Sequence, residues 1–276
     1  MQNVTAVPLP LARFGLTLTR TMLSLTAAAY VCFATCCDAV AGTFRTITID
    51  NAYADWAGVP ILDSDIIDNF GGPDIATTQV CNDGNNLYIR NTYHNGLALD
   101  TFTSLDVDSN TATGYNILTF GLVGSEASWQ NDFGFAQAPG IFIAGPLRGP
   151  YFFSGLALLA PIADAPSREL AISLDATYGG GIPLFPDGTF TLLIWTADGA
   201  FDVSAAITYT LAVCPNDING SGAVNVDDLL QVINTWGPCP PPCPADSAPP
   251  GGNGSVNVDD LLAVINAWGK LSLIHI

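Results

Sequence analysis

Hydrophobic and polar positions alternate through the middle of the chain. Leu87, Ile89 and Asn91 fall on one side of a two-residue period, and Tyr88, Arg90 and Thr92 on the other, as a strand with two unlike faces requires. Segments of this kind recur at Thr46–Asp50, Ile75–Cys81, Asn86–Tyr93, Phe102–Val107, Tyr115–Val123, Glu169–Leu174, Thr189–Thr196 and Ala205–Ala212. Turn signals separate them, among them Asp83-Gly84-Asn85, Gly179-Gly180-Gly181 and Pro186-Asp187-Gly188. A parallel α/β sheet needs helices between its strands, and no convincing helical period stands here. Residues 42–213 therefore predict one antiparallel β-sandwich, and the fold class is mainly β with a small all-α tail.

From Cys214 the period changes and the chain repeats itself. Cys214-Pro215-Asn216-Asp217 returns as Cys243-Pro244-Ala245-Asp246, and Gly222-Ala223-Val224-Asn225-Val226-Asp227-Asp228-Leu229-Leu230 as Gly254-Ser255-Val256-Asn257-Val258-Asp259-Asp260-Leu261-Leu262. Val232-Ile233-Asn234-Thr235-Trp236-Gly237 returns as Val264-Ile265-Asn266-Ala267-Trp268-Gly269. Leu229, Val232, Ile233 and Trp236 form an i, i+3, i+4, i+7 stripe, as do Leu261, Val264, Ile265 and Trp268, so each unit predicts one amphipathic helix. Asn225 and Asn257 can cap these helices, with Asp228 and Asp260 at the third position, and Gly237 and Gly269 stop them. Two such stripes are expected to bury against each other. A stiff Pro/Cys linker, Pro238 to Pro244, joins the units.

The amino terminus reads as an address. Arg13 and Arg20 precede an apolar run from Met22 to Cys37, and Ala39-Val40-Ala41 has the form of a cleavage site, so residues 1–41 are expected to be a signal peptide. No stretch is long enough for a transmembrane segment. The tail, residues 270–276, matches neither repeat and is expected to be truncated or artefactual sequence. Secretion into an extracellular or cell-surface setting follows, and the composition fits it.

Of the 276 residues only 7 are Lys or Arg against 25 Asp or Glu, a net charge of −18. Nucleic acid is excluded as a partner class, because phosphates are neutralised by Lys and Arg. All the acids but Glu126 and Glu169 are Asp, the short hard-oxygen ligand that suits calcium in turns.

The first repeat gives that chemistry a site. Asp217, Asn219, Ser221 and Asn225 occupy positions one, three, five and nine of a twelve-residue calcium loop, with Gly222 at six, the Ala223 carbonyl at seven and Asp228 at twelve. Calcium wants six to eight hard oxygens, and alternate residues of a tight loop can all point inward. Val224 is the expected apolar plug beneath it. The second loop carries three extra residues before Asn253-Gly254 and keeps Asp246, Asn253, Asn257 and Asp260 as candidate ligands. With two ligand carboxylates per loop, affinity is expected in the extracellular range, ~10⁻⁵ to 10⁻³ M, the second site weaker. A third calcium turn is offered by Asp106, Asp108 and Asn110, against the alternative of an Asx-rich hairpin without an ion.

A loop with a single exit helix, in tandem, with Asp at position twelve and Trp-Gly at the helix end, resembles a dockerin module over residues 214–269. The resemblance implies calcium as cofactor and a cohesin-like or other cell-surface protein as partner. It implies partner contacts at Val226, Asp227, Ile233 and Asn234 and at Val258, Asp259, Ile265 and Asn266. Valine at the first of these positions departs from the small hydroxyl residues of cellulosomal dockerins.

The sandwich resembles family-9-like carbohydrate-binding domains. The likeness rests on Ile47-Thr48-Ile49-Asp50, Asp55-Trp56-Ala57-Gly58-Val59-Pro60, Asn82-Asp83-Gly84-Asn85-Asn86-Leu87-Tyr88-Ile89-Arg90 and Leu105-Asp106-Val107-Asp108-Ser109-Asn110-Thr111-Ala112-Thr113-Gly114-Tyr115. It implies a polysaccharide ligand, stacked on aromatic rings; Trp129, Tyr151, Tyr93 and Trp195 are the candidates. Trp56, beside a turn, is expected to staple the strand edge.

Catalytic residues are not identified. A glycosidase needs two opposed carboxylates; Glu169 beside Arg168 reads as a solvated strand-start pair, and the Asp residues lie in turns. Cys214 and Cys239 bracket the first loop-helix unit and are the favoured disulfide, with Cys239–Cys243 the alternative and Cys81 buried in its strand. The expectation is a secreted, non-catalytic protein with a glycan- or surface-binding sandwich and a calcium-folded docking tail. The alternatives are a glycoside hydrolase with its active site in the sandwich, or a purely structural envelope protein.

Overall fold

The computed structural model describes residues 40–149, 157–197, 201–214, 216–221, 224–249 and 251–268. Residues 1–39 of the expected leader, the expected tail 270–276, Gly269, Tyr151, Gly222 and Ala223 lie outside them, while Val40 and Ala41, the last two residues of that leader, are described.

Among the described residues, twelve strands make up two large sheets. In chain order they are β1 (Val40–Ala41), β2 (Ile61–Ser64), β3 (Ile75–Asn82), β4 (Asn86–Tyr93), β5 (Thr101–Asp106), β6 (Ala127–Gln130), β7 (Phe133–Ala138), β8 (Ile141–Pro146), β9 (Ala157–Ala160), β10 (Ser167–Ser173), β11 (Thr189–Thr196) and β12 (Ile207–Thr210). One sheet runs β1-β12-β11-β5-β6-β7-β8 and the other β9-β10-β4-β3-β2. Pairing is antiparallel except between β1 and β12.

The sheets close on a shared core. Val80, Leu87, Ile89, Leu170 and Ile172 from the smaller sheet meet Leu105, Trp129, Phe190, Leu192 and Ile194 from the larger. The chain is thus mainly β and folds as an antiparallel sandwich, as the alternation on Leu87 and Ile89 predicts. Both outer faces are also covered. Ile47, Trp56 and Val59 lie over Cys81, Tyr88 and Ala171 on one. Ile117 and Val123 lie over Phe102, Phe135, Leu193 and Trp195 on the other.

That double covering explains two of the strands the sequence pattern missed, β6 and β7, because a strand buried on both faces loses the in/out alternation that reveals a half-buried one. β2, β8 and β9, missed as well, are edge strands without a regular alternation of buried and exposed positions. Every residue of β5 and β10 is buried, including Ser104, Asp106 and Glu169. Thr46–Asp50 is not a strand. Its backbone runs over the sheet with the Asp50 N–H held by Glu169 Oε1 at 2.8 Å and the Thr48 N–H by Asp55 Oδ2 at 2.8 Å. Tyr115–Val123 is extended only at Tyr115–Asn116, which pairs with Gly124–Ser125. Leu118 and Thr119 then take φ of 48° and 62°, which no strand accommodates.

The carboxyl-terminal module contains α1 (Val226–Asn234) and α2 (Val258–Ala267). They pack together around Val232 and Val264, with Ile218, Val224, Ala245 and Val256 completing a small core. A two-residue ladder, Gly237–Pro238 with Ser255–Val256, ties the end of the first unit to the second loop.

Candidate functional site

Each helix begins with the same device. Asn225 caps α1 by accepting the Asp227 N–H at 2.7 Å, and Asp228 Oδ2 reaches back to the Asn225 N–H at 2.8 Å. Asn257, Asp259 and Asp260 repeat this in α2 at 2.7 and 2.8 Å. This reciprocal cap satisfies amide donors that a helix start leaves open, and it places a carboxylate in the positive field of the first turn. Asp228 and Asp260 are both fully buried, so the cap also turns a charged group into the loop before it.

In the first loop the other Asp228 oxygen accepts the Asn219 N–H at 3.1 Å. Asp217 Oδ1 and Asn219 Oδ1 both accept from the Ser221 N–H, at 2.9 and 2.8 Å. Side chains from positions one, three and twelve thus fold around one stretch of backbone, and their oxygens keep lone pairs to spare. Val224 is buried beneath them. Gly222 and the Ala223 carbonyl lie outside the described residues.

The second loop reaches a similar arrangement with a longer path. Asp246 accepts from Asn253 N–H at 2.9 Å and Gly254 N–H at 2.6 Å, and Asp260 Oδ1 from Ser247 and Ala248 N–H at 2.7 and 2.8 Å. The extra residues bend back at Gly252, where φ is +75° and a Cβ would stand 2.6 Å from Asp246 Oδ2. Only glycine passes there. The donors in both loops are oxygens, with two carboxylates each, a set that fits a hard divalent cation.

The helices leave matched apolar faces uncovered. Val226, Leu230 and Ile233 on α1 and Val258, Leu262 and Ile265 on α2 are between 46% and 53% exposed. The expectation that the whole stripe buries helix against helix is corrected. Val232 and Val264 are fully buried and Leu229 and Leu261 partly, but Ile233, Trp236, Ile265 and Trp268 stay open, because two short helices cover only a narrow seam. All eight residues implicated in partner contact are exposed: Val226, Asp227, Ile233, Asn234, Val258, Asp259, Ile265 and Asn266. Leu230 and Leu262, one turn after the valines, complete the faces and went unnoticed in the sequence. The two are not equivalent in surroundings, since Asn266 lines a cleft of about 830 Å³ together with Phe44, Arg45, Leu211 and Asn216.

On the sandwich, Asp106 and Asp108 come together as predicted, but the third group is Glu126. Ligand oxygens of these three lie within 4.8 Å of one another. Asn110 instead serves the turn. Its Oδ1 accepts from Ala112 N–H at 3.1 Å, and its own N–H donates to Asp106 and Asp108 at 2.9 and 3.0 Å. Burial, then the charges of Asp106 and Asp108, pushes Glu126 up to about 7, and burial likewise raises Asp106. Three carboxylates crowded in this way favour a cation among them. Glu126 was missed because it follows the turn on a separate strand edge, 18 residues or more from its partners in sequence.

The candidate sugar platforms are corrected. Trp129 and Tyr93 belong to the central core. Trp195 is buried against Phe102, ring centroids 4.1 Å apart, with its indole N–H donated to Ser104 Oγ at 2.8 Å. None presents a ring face to solvent, and Tyr151 lies outside the described residues. Glu169 and Arg168 are also not solvated. Glu169 is fully buried, accepting Asp50 and Asn51 N–H on Oε1 and the Trp56 indole N–H on Oε2 at 3.0 Å. Arg168 donates to the Ala98 carbonyl and, at 2.7 Å, to Asn131 Oδ1. Trp56 is buried over the face of the smaller sheet, against Cys81, Tyr88 and Ala171, and not at a strand edge as expected.

The disulfide joins Cys239 to Cys243, whose Cα atoms are 5.8 Å apart, leaving Cys214 and Cys81 as thiols. The favoured Cys214–Cys239 bridge is therefore replaced by its alternative, a pair four residues apart whose Cα separation suits a disulfide.

No protein-family model matches the chain, and no curated protein is similar to it. Among solved structures it is similar to a family 9 carbohydrate binding module from Caldicellulosiruptor kristjanssonii in complex with cellotriose. The identity is 11%, the TM-score 0.37, and the match covers 63% of this chain and 94% of that one. The sandwich assignment rests on the sheets and core described above, not on this likeness. Among the described residues no helix is long and apolar enough to cross a membrane.

Proposed function

We propose that the protein is a secreted, non-catalytic binding protein whose carboxyl-terminal module folds on calcium and docks onto a partner protein, displaying the sandwich as its glycan- or surface-binding part. The observation that carries this is the duplication itself. Two loops close on buried Asp228 and Asp260, and each hands on to a helix with the same half-exposed apolar face. A pair of equivalent faces on a rigid, ion-braced support suits recognition of a protein groove through i, i+4, i+7 anchors. The resemblance to dockerins names a cohesin-like domain as the partner class.

A polysaccharide remains the proposed ligand of the sandwich, with contacts other than Trp129, Tyr93 and Trp195. The two Glu residues support a non-catalytic role. Glu169 is committed to holding the amino-terminal segment, and Glu126 sits among acids that favour a cation.

The full chain would be passed over immobilised cohesin domains and insoluble polysaccharides, with calcium or with EDTA, while reducing sugar is assayed. Retention on cohesin in calcium, lost in EDTA and in the double variant Ile233→Asp, Ile265→Asp, is the expected result. Retention that ignores both changes would refute docking through these faces. Release of reducing sugar would refute the non-catalytic role.

A further inference from the structure

The loop between β2 and β3 and the segment after β11 bring together three acids that none of the predicted calcium turns includes. Ligand oxygens of Asp68, Asp74 and Asp202 lie within 4.8 Å of one another. Asp74 and Asp202 are only 1% and 2% exposed, whereas Asp68 is open to solvent. Asp202 Oδ2 accepts from the Ile75 N–H, and its backbone N–H donates to Thr196 Oγ1 at 3.1 Å. Asp74 Oδ1, by contrast, is buried with no hydrogen-bond partner. A carboxylate oxygen stripped of water and given no donor is strongly unfavourable unless a cation meets it. The neighbouring charges do not supply one, since those acting most on Asp202 are Asp65 and Asp68.

The surroundings hold the acids in place. Asn69, itself buried, donates from Nδ2 to the Pro73 carbonyl at 2.9 Å and to Thr196 Oγ1 at 3.3 Å, pinning the loop against the end of β11. The Asp74 carbonyl accepts from His94 N–H at 2.8 Å, and the Asp202 carbonyl from Thr196 N–H at 2.9 Å. One acid is therefore anchored to the smaller sheet and another to the larger.

We propose that Asp68, Asp74 and Asp202 bind a divalent cation, calcium by the chemistry of its ligands, that clamps the two sheets of the sandwich together. The three donor side chains are carboxylates, with no thiolate or imidazole among them, which selects a hard cation over zinc or copper. The open side at Asp68 gives the ion entry and room for water ligands. Because the site spans the sheets, its occupancy acts on the sandwich, and the helices of the module are indifferent to it.

Calorimetric titration of the full chain with calcium chloride tests this, alongside Asp74→Asn and, at the exposed position where folding is least at risk, Asp68→Asn. The expected result is one fewer bound calcium, or one site weakened at least tenfold, in each variant. In EDTA the variants should melt no lower than the parent, because removing a like charge relieves repulsion, and the gain in sandwich melting temperature on adding calcium should fall by half or more. An unchanged calcium count and an unchanged calcium-induced shift in both variants would overturn the site.

Discussion

Among the described residues, the central core of the sandwich gathers 21 buried residues, Trp129 and Phe190 among them, whereas the carboxyl-terminal module closes on six, none larger than isoleucine. The sandwich covers its outer faces as well, while the module leaves an apolar stripe on each helix half-exposed. Apolar burial is therefore ample in one region and scant in the other, and domains of this size rarely hold a fold on a small core alone. Buried acids differ in role for the same reason. In the module, Asp228 and Asp260 are the closing members of loops whose other oxygens face the same space. In the sandwich, Glu169 is satisfied by three N–H donors and needs no ion, whereas the acids clustered at Asp106 and at Asp74 crowd carboxylates together.

The largest expected effect separates the two regions outright. Adding EDTA to the full chain should abolish the helical circular-dichroism signal of α1 and α2 and leave the sandwich's cooperative melt in place. With calcium at a hundredfold excess over its dissociation constant, each occupied loop contributes about 2.7 kcal/mol. A helical signal that survives chelation would erase the distinction. Trp129→Ala should do the reverse, costing the sandwich ~3–5 kcal/mol through the cavity it leaves. Calcium titration of the module should not change, and differential scanning calorimetry resolves the two transitions.

A smaller effect is expected from Glu169→Gln, which turns one of the two acceptor oxygens into an amide NH2 and so strips a partner from either the Asp50 and Asn51 N–H groups or the Trp56 indole. Leaving those donors unpaired costs ~1–3 kcal/mol, and Trp56 emission should shift red as the covering segment loosens. Smallest of all is the contrast between the thiols. Burial pushes Cys81 up to about 12, so at neutral pH it stays protonated. Ellman's reagent should modify Cys214, which is partly exposed, in the native chain and Cys81 only after denaturant is added.

Much of this was legible in the sequence where the information is local. The caps at Asn225 and Asn257, the acids at their third positions, the strands Asn86–Tyr93 and Thr189–Thr196, and the plug at Val224 all follow from neighbours within a turn or a strand. Two strands covered on both faces, β6 and β7, were not legible, because Ser128 and Gln137 sit inside where alternation expects water outside. The aromatic rings misled for a related reason: a tryptophan in a strand looks the same whether its sheet face is open or covered, and at Trp195 the loop carrying Ile117 and Val123 covers it.

By itself the sequence determined the change of period at Cys214, the duplicated loop-helix unit and the alternation that makes a sheet, since period and repeat need no knowledge of the fold. Only the tertiary structure decided that Glu126 joins Asp106 and Asp108, that Glu169 anchors Trp56, that Cys239 pairs with Cys243 and that Asp74 faces Asp202. Apart from the short-range cysteine pair, these meetings cross between segments that the order of strands in the sheets brings together. That order is set by how buried faces match in space, which no local pattern along the chain records.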